Sequence, residues 1–572
     1  MKHTGSPFSV AKALRVLFDE PLLKASPSIA QRRAFHDYFV THLPSSSLSP
    51  DRPPPTQHHH YPRDESKPHS GSKSRAAELA SGPNNRDTTV VRIPIKSAKH
   101  HFGAGVSRGA RPYNEDTYQA GTIELPAFAK RRPISLTRKR GSDGPPTSEN
   151  QAAKSESGDP QVFYFGVFDG HGGAECSEFL RDRLHGYIEE AAVLFGMESS
   201  LRKREGNDEI DGDSGSAGGV MGAQDPEDLQ KSIVSDWKET VGGYFKRFKP
   251  EFFPAVAPST HDSDVPATAN SSSIETVLSY AFLKADLDFT KAQAAKRSEP
   301  PPSGPPPSSI DDPVLNDRPL NDNDVLSNPD RPASQNLSTN RPSARGSSPN
   351  LDKPIGSDKR FKGGSTASIA MLSTPTSTPF WTPASPSTLV VAHVGDTRVL
   401  LCRTSDGKSV PLTVNHHPST PVEATRLRRY AATFVTDSFG EERMLGLANT
   451  RAFGDIASKR IGVSAEPQVT TLQISPGEYS FMVSMSDGVC GHLTDQEIVD
   501  VVKEAKTPAQ AAQDLVSFAT EVNPDDADNA TALVVRLGGW ERRGEGGGGS
   551  IGTKEQRQYR INEAADPRAR RQ

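Results

Sequence analysis

The chain has 572 residues, 33% of them hydrophobic, with 46 Gly, 48 Pro, a mean hydropathy of −0.60 and a net charge of −4. Its apolar, periodic segments add up to roughly 300–330 residues, one large domain with tails and insertions, and nothing in its charge balance marks a nucleic-acid binder. Cys176, Cys402 and Cys490 are too scattered for a disulfide framework or a zinc site and suggest a reducing compartment, and no apolar run approaches the ~20 residues of a membrane span.

Residues 1–36 carry Lys2, Lys12, Arg15, Lys24, Arg32 and Arg33 against only Asp19 and Glu20. Val10, Leu14, Leu17 and Phe18 share one helical face opposite Lys12 and Arg15, the pattern of a mitochondrial leader or of a surface helix. Arg32-Arg33-Ala34-Phe35 resembles a matrix-processing site, so import with cleavage near residue 35 is expected, with cytoplasm or nucleus as the alternative. The leader spans 1–45 in this reading, and a Pro-, Ser- and His-rich linker fills 46–87.

The domain then runs over 88–540, followed by a Gly- and Arg-rich tail at 541–572. Thr88-Thr-Val-Val-Arg-Ile opens it as a strand, and Arg111 follows, four and five residues before Glu115 and Asp116. An Arg so close to two acids is either a surface ion pair or a phosphate grip beside metal-binding carboxylates. Periodicity vanishes over 126–160, 199–224 and 298–360, which are expected to be disordered insertions. Between them Val162–Phe165 reads as a buried strand leading into Val167-Phe-Asp-Gly-His-Gly-Gly173, and Ala174–Leu184 as a helix. Asp169 and His171 therefore stand on a tight Gly-bounded turn, where the Gly170 carbonyl can serve as a ligand. Taken alone, such a turn is more often only a strand-to-helix junction.

Leu229, Ile233, Trp237, Val241 and Phe245 recur every four residues as one helix, and Ile274–Ala285 mark another. Thr388–Arg403 holds two strand-like runs around Gly395-Asp396-Thr397-Arg398, for which a hairpin is the simplest reading. A helix is expected over Val422–Ala432, then Leu445-Gly-Leu-Ala-Asn-Thr-Arg-Ala-Phe-Gly-Asp455. Ser480–Val502 repeats the central design, an apolar strand, Asp487-Gly488 and a helix, and Asp528-Asn529 precedes a last strand.

Asp116, Asp169, Asp487 and Asp528 thus share one layout, an acid at a turn abutting a β-run. Clustered acids at strand ends are costly unless cations neutralise them. Oxygen-only ligation favours Mg²⁺ or Mn²⁺, and two such ions form a site that binds phosphate and activates water. Arg111 would hold the phosphoryl oxygens, and His171 could give a proton to a departing serine or threonine oxygen. None of the cysteines is followed six residues later by Arg, so a phosphate-cradling thiolate is unsupported.

The ordered set RPYNED, VFDGHGG, GGSTA, GDTR, LANTRAFGD, SMSDGV and DNAT resembles the metal-dependent protein phosphatases, the type 2C serine/threonine phosphatases, over roughly residues 90–540. The resemblance implies an α+β fold, a four-layer αββα arrangement with a central antiparallel β-sandwich flanked by helix pairs. It implies two Mg²⁺ or Mn²⁺ ions held by Asp116, Asp169, Asp487, Asp528 and the Gly170 carbonyl, with Glu115 on a metal-bound water. Arg111 matches the phosphate-binding arginine, His171 the proposed general acid, and Asp396, with Asp487, a weaker third metal site near Thr366. Asn415-His416-His417-Pro418 departs from a common Asp-His pair, and Thr397 from Ser; both bear on local strand contacts rather than on activity. Phosphoprotein substrates, no nucleic-acid partner and a monomer are the partner expectations. Two rivals are an inactive, phosphoprotein-binding relative and an unrelated metallohydrolase or calcium-binding protein. The first typically lacks the metal carboxylates, all present here, and a calcium loop would gather its acids within about twelve residues.

Overall fold

A computed structural model describes residues 38–44, 88–94, 101–131, 159–201, 224–256, 273–296, 360–376, 378–428, 434–436, 442–444, 448–522 and 527–544, with a few isolated positions besides. The leader helix, the processing site and most of the three insertions and the tail lie outside these residues. The first described strand is β1 (Tyr38–Pro44), which pairs antiparallel with β2 (Thr88–Pro94). Tyr38–Pro44 fell within the segment read as leader; here it is a strand of a two-stranded ribbon.

The chain continues with β3 (Phe102–Ser107), β4 (Thr117–Ile123) and β5 (Val162–His171), then α1 (Glu175–Leu194). Next comes α2 (Pro226–Thr240), capped by Asp225 with Pro226 at its first position. The expected run to Phe245 stops early because Gly242 and Gly243 take positive φ, and Phe245 falls in a short 3₁₀ turn. After α3 (Ile274–Ala294) come β6 (Gly364–Ser373), β7 (Ser387–Val394), β8 (Arg398–Arg403), β9 (Ser409–Pro411) and α4 (Pro421–Arg428). A small ribbon follows, β10 (Phe434–Thr436) with β11 (Glu442–Met444), then β12 (Phe453–Gly454) and the single turn α5 (Ile456–Lys459). The chain closes with β13 (Gln468–Ile474), β14 (Tyr479–Met485), α6 (Asp487–Cys490), α7 (Asp495–Glu504), α8 (Pro508–Val522) and β15 (Ala530–Arg536).

Two antiparallel sheets organise these elements. One runs β13-β7-β6-β5-β4, with β12 paired to β6; the other runs β3-β15-β14-β8-β9. The period of two along each strand sorts side chains to opposite faces. Phe163, Phe165 and Val167 meet Leu372, Val391, Leu401, Met482, Leu533 and Val535 between the sheets. Tyr164 and Phe168 face outward, into a core with Leu180, Ile188, Val277, Phe282 and Phe289 of α1 and α3. On the second sheet Phe481, Val483 and Val534 pack outward against Ile498, Val502, Leu515 and Phe518 of α7 and α8. The result is the αββα sandwich that the resemblance implies.

The hairpin expected around Gly395 is not formed. β7 pairs with β6 and β13 in the first sheet, whereas β8 pairs with β14 and β9 in the second. Gly395 and Asp396 therefore carry the chain from one sheet to the other. At Gly395 φ is +102°, and a β-carbon there would collide with the Thr366 side chain, so only glycine fits this crossing. Among the described residues no helix is long and apolar enough to cross a membrane.

Candidate metal and phosphate site

The ends of strands from both sheets converge on a cleft of about 870 Å³, lined by Arg111, Glu115, Asp169, Gly170, His171, Asp396, Asp487 and Asp528 among others. Asp169 ends β5 and lies opposite Thr366 of β6; Asp396 sits in the crossing from β7 to β8. Asp487 opens α6 directly after β14, and Asp528 precedes β15. The two sheets thus bring together acids that lie far apart along the chain.

Carboxylate oxygens of Asp169, Asp396 and Asp487 all lie within 4.8 Å of one another. Burial, and then the charges of Asp487, Asp116 and Asp396, hold the Asp169 carboxyl well above the usual carboxylate range. Burial followed by Asp396 and Asp528 pushes Asp487 up to about 7. Asp116 stands behind the cleft, 6% exposed, and burial raises it to about 6 although Ser486 Oγ donates to its Oδ2 at 2.7 Å. Asp116 Oδ1, Asp396 Oδ1 and Thr366 Oγ1 are buried with no hydrogen-bond partner. Repelling carboxylates with orphaned oxygens and no thiolate or imidazole among them fit a hard divalent cation. Asp396 belongs to the tight trio, whereas Asp116 and Asp528 lie outside it.

Local backbone explains the glycine at 170. A β-carbon there would strike the Glu115 carbonyl, which also accepts from Ser177 Oγ at 2.5 Å, so the Glu115 backbone lies directly against β5. Glu115 is held from the other side by its N–H donating to Asn529 Oδ1 at 2.8 Å. Arg111 is 59% exposed and donates to Asp528 Oδ2 at 2.7 Å, so a phosphate reaching it would compete with that carboxylate. His171 Nε2 lies 2.9 Å from both oxygens of Asp455. Burial works against its charged form, but the hydrogen bond and charge of Asp455 outweigh this and raise the imidazole above its ordinary pKa.

The Asn415–Pro418 segment is closer to the site than its departure from the family pattern suggested. Asn415 and His417 line the cleft, and His416 is buried, stacked 4.7 Å from His393. His416 Nδ1 accepts from the Gly395 N–H at 3.0 Å, and His393 Nε2–H donates to Val414 O at 3.1 Å. Burial lowers His393 to about 3 and His416 well below its ordinary value. A lowered folded-state pKa means that protonation favours unfolding, so the stability contributed by these two rings is full above about pH 6.5 and is lost as pH drops towards 3. At pH 5 each ring should cost about 2 kcal/mol at most. The raised carboxyls of Asp487 and Asp116 give the opposite slope over this range, so the rings are read by difference: between pH 7.5 and 4.5, wild-type urea midpoints should drop more, or rise less, than those of His416→Asn, whose amide oxygen can still accept from Gly395. An unchanged slope in that variant would dismiss the assignment.

Residues 320–528 match the family model described as protein phosphatase 2C. "Protein phosphatase 2C homolog 4" of Schizosaccharomyces pombe is 29% identical over 455 residues, 79% of this chain and 84% of its own length. Over these stretches the chain is similar to the protein phosphatase 2C family. "Protein phosphatase 1K, mitochondrial" of Xenopus laevis is 37% identical over 153 residues, and this chain spans only 40% of that relative. The solved serine-threonine phosphatase 2C of Toxoplasma gondii aligns over 76% of this chain and 94% of its own, at 16% identity and a TM-score of 0.38.

Several further residues beside the cleft are not marked as site residues by the sequence motifs. Asn449 Nδ2 donates to Asp396 Oδ2 at 2.8 Å, and Asp455 grips His171. Arg398 and Asp495 form an ion pair at 2.6 Å on the cleft wall, and Ser486 holds Asp116. Asn449 and Asp455 both lie in the LANTRAFGD motif, and a polar pair bracketing that motif was the available signal.

Proposed function

We propose that the protein is a metal-dependent protein-serine/threonine phosphatase that hydrolyses phosphoserine and phosphothreonine with water. The trio Asp169, Asp396 and Asp487, drawn from both sheets and with Asp396 Oδ1 buried without a partner, carries this reading. Asp116, Asp169, Asp487, Asp528 and the Gly170 carbonyl would hold two Mg²⁺ or Mn²⁺ ions, Glu115 would assist through a water, and Asp396 would serve a weaker third. The bound ions supply the positive charge that binds phosphate and lowers the pKa of water.

The chain's own groups do the rest. Arg111 leaves Asp528 to grip two phosphoryl oxygens, fixing the phosphorus in the cleft. His171 gives a proton to the departing serine or threonine oxygen. An inactive relative that only binds phosphoproteins would not need this full complement of acids.

The deciding experiment is phosphate release from a phosphoserine peptide with Mn²⁺ or Mg²⁺, and its loss in excess EDTA. Undiminished turnover in EDTA would end the metal reading, and Mn²⁺ titration by calorimetry would count the ions. Arg111→Ala should raise KM for a phosphopeptide by about tenfold or more, the loss of a bidentate charged contact, with a smaller change in kcat. An unaltered KM would leave Arg111 as a surface partner of Asp528.

We place the protein in the mitochondrion on the basic, acid-poor residues 1–36; a relative named as mitochondrial supports this over part of the domain. Residues 1–45 fused to a fluorescent protein should enter mitochondria, and a diffuse signal would remove the claim.

A further inference from the structure

Asp455 is the one non-glycine among the described residues with a left-handed backbone, at φ 45°. Such a conformation is disfavoured for a side-chain-bearing residue and persists only where the surroundings enforce it. Asp455 also precedes α5, where an aspartate ordinarily caps the helix, yet its side chain makes no capping bond. Its carboxylate turns instead to His171, with both oxygens 2.9 Å from Nε2, and is only 5% exposed.

The surroundings that enforce this are identifiable. The Asp455 N–H donates to the Gly363 carbonyl at 2.9 Å. A β-carbon on Gly364, the residue paired with His171 across β5 and β6, would lie 2.5 Å from an Asp455 carboxylate oxygen. Beneath the loop lies a fully buried ion pair, Lys459 Nζ to Asp286 Oδ2 at 2.6 Å, both side chains 0% exposed. Asp286 Oδ1 accepts from the Gly454 N–H at 2.9 Å, and Lys459 Nζ donates to the Ala452 carbonyl at 2.7 Å. Helix α3 thereby clamps residues 452–455 through Asp286, and β6 leaves the gap in which the Asp455 carboxylate sits.

From this geometry we infer that Asp455 is the positioning residue of the phosphatase reaction. It holds His171 by Nε2 and so makes Nδ1 the ring nitrogen that serves the substrate. The inference rests on the phosphatase reading above. During turnover the bond from water oxygen to phosphorus forms as the phosphorus–serine oxygen bond breaks. The Nδ1 proton passes to the departing oxygen, and the ring, still bonded through Nε2–H to Asp455, regains a proton released by the attacking water through solvent. The side chain of His171 is 35% exposed in the cleft wall, so its free edge is open to such an exchange.

Asp455→Asn and Asp455→Gly test this well, because asparagine and glycine are the residues that best tolerate the left-handed backbone. Asp455→Gly also removes the grip altogether, so one variant stands if the other fails to fold. On a phosphoserine peptide, whose alkoxide needs a proton, kcat should fall about 10- to 100-fold with KM within threefold of wild type. On nitrophenyl phosphate, whose leaving group departs unaided, kcat should change less than threefold. The double variant His171→Gln/Asp455→Gly should be no slower on the peptide than His171→Gln alone. Equal losses on the two substrates, or additive losses in the double variant, would overturn the inference. A second readout is independent of turnover: the proton NMR signal of a carboxylate-bonded His171 Nε2–H should be lost in Asp455→Gly. A wild-type protein inactive on both substrates would sink the phosphatase reading instead, while the signal would still report on the grip; its persistence in Asp455→Gly would refute that grip.

Discussion

Asp169→Asn should abolish turnover of phosphopeptides, by about 10³-fold or more, while leaving the metal-free protein at least as stable as the wild type. The second half of this result comes from electrostatics. Asp169 shares its small space with Asp396 and Asp487, all within 4.8 Å by their oxygens, and burial with their charges already drives its carboxyl towards protonation. Two like charges at that separation repel by about 3 kcal/mol at an effective dielectric of 20, and proton uptake relieves only part of it. Replacing one carboxylate by an amide of the same shape removes the repulsion and the ligand together. Thermal melts with EDTA and with Mn²⁺ separate the two consequences. Wild type should gain Tm on adding Mn²⁺, and Asp169→Asn should start no lower but gain little. A variant that keeps both its activity and its metal-induced shift would take Asp169 out of the metal site.

Glu423→Ala should be strongly destabilising although it lies outside the cleft. Glu423 is 1% exposed and is held by two arginines: Arg426 Nη2 at 2.6 Å on Oε2 and Arg451 Nη2 at 2.8 Å on Oε1. Thr450 Oγ1 adds a third donor at 2.7 Å. Burial opposes the carboxylate's charge, but the two guanidiniums more than offset it and hold Glu423 far below the usual range. Removing it strands two largely buried cations, a loss of about 3–5 kcal/mol, or on the order of 10 °C in Tm for a domain of this size. Glu423→Gln, which keeps the acceptor but not the charge, should fall between. Because Asn449, next to Thr450, contacts Asp396, Mn²⁺ affinity should weaken as well. A Tm loss under 3 °C in Glu423→Ala would show that the arginines find other partners.

Several acids of the candidate site are legible in the sequence, because each sits in a local pattern: a turn beside an apolar strand. Asp169 and Asp487 carry that pattern within ten residues, and the fold keeps it. Asp396 was harder. Two β-runs around Gly-Asp look like a hairpin whether or not the runs share a sheet, and the difference is made by β6, β13 and β14, far away in sequence. Asp455 was hidden for another reason. Its role depends on a left-handed backbone and on a buried ion pair from α3, and neither leaves a periodic trace. The early end of α2 could have been seen in Gly242-Gly243, but the apolar spacing through Phe245 spoke for continuation. Strand β1 was masked by basic neighbours, since its partner lies beyond a low-complexity stretch.

The second sheet begins with β3 and is completed by β15, with Ser107 paired to Ala530. At synthesis rates of about 5–20 residues per second, the strand that forms this edge waits on the order of 20–80 s for its neighbour to leave the ribosome. Until then Phe102–Ser107 has no partner in the finished sheet and must be kept from pairing with other chains. The same closure means that Asp116 and Asp528 meet only after the chain has been made through β15. In a nascent chain, therefore, the acids of the proposed metal site stay incomplete until that strand has been made.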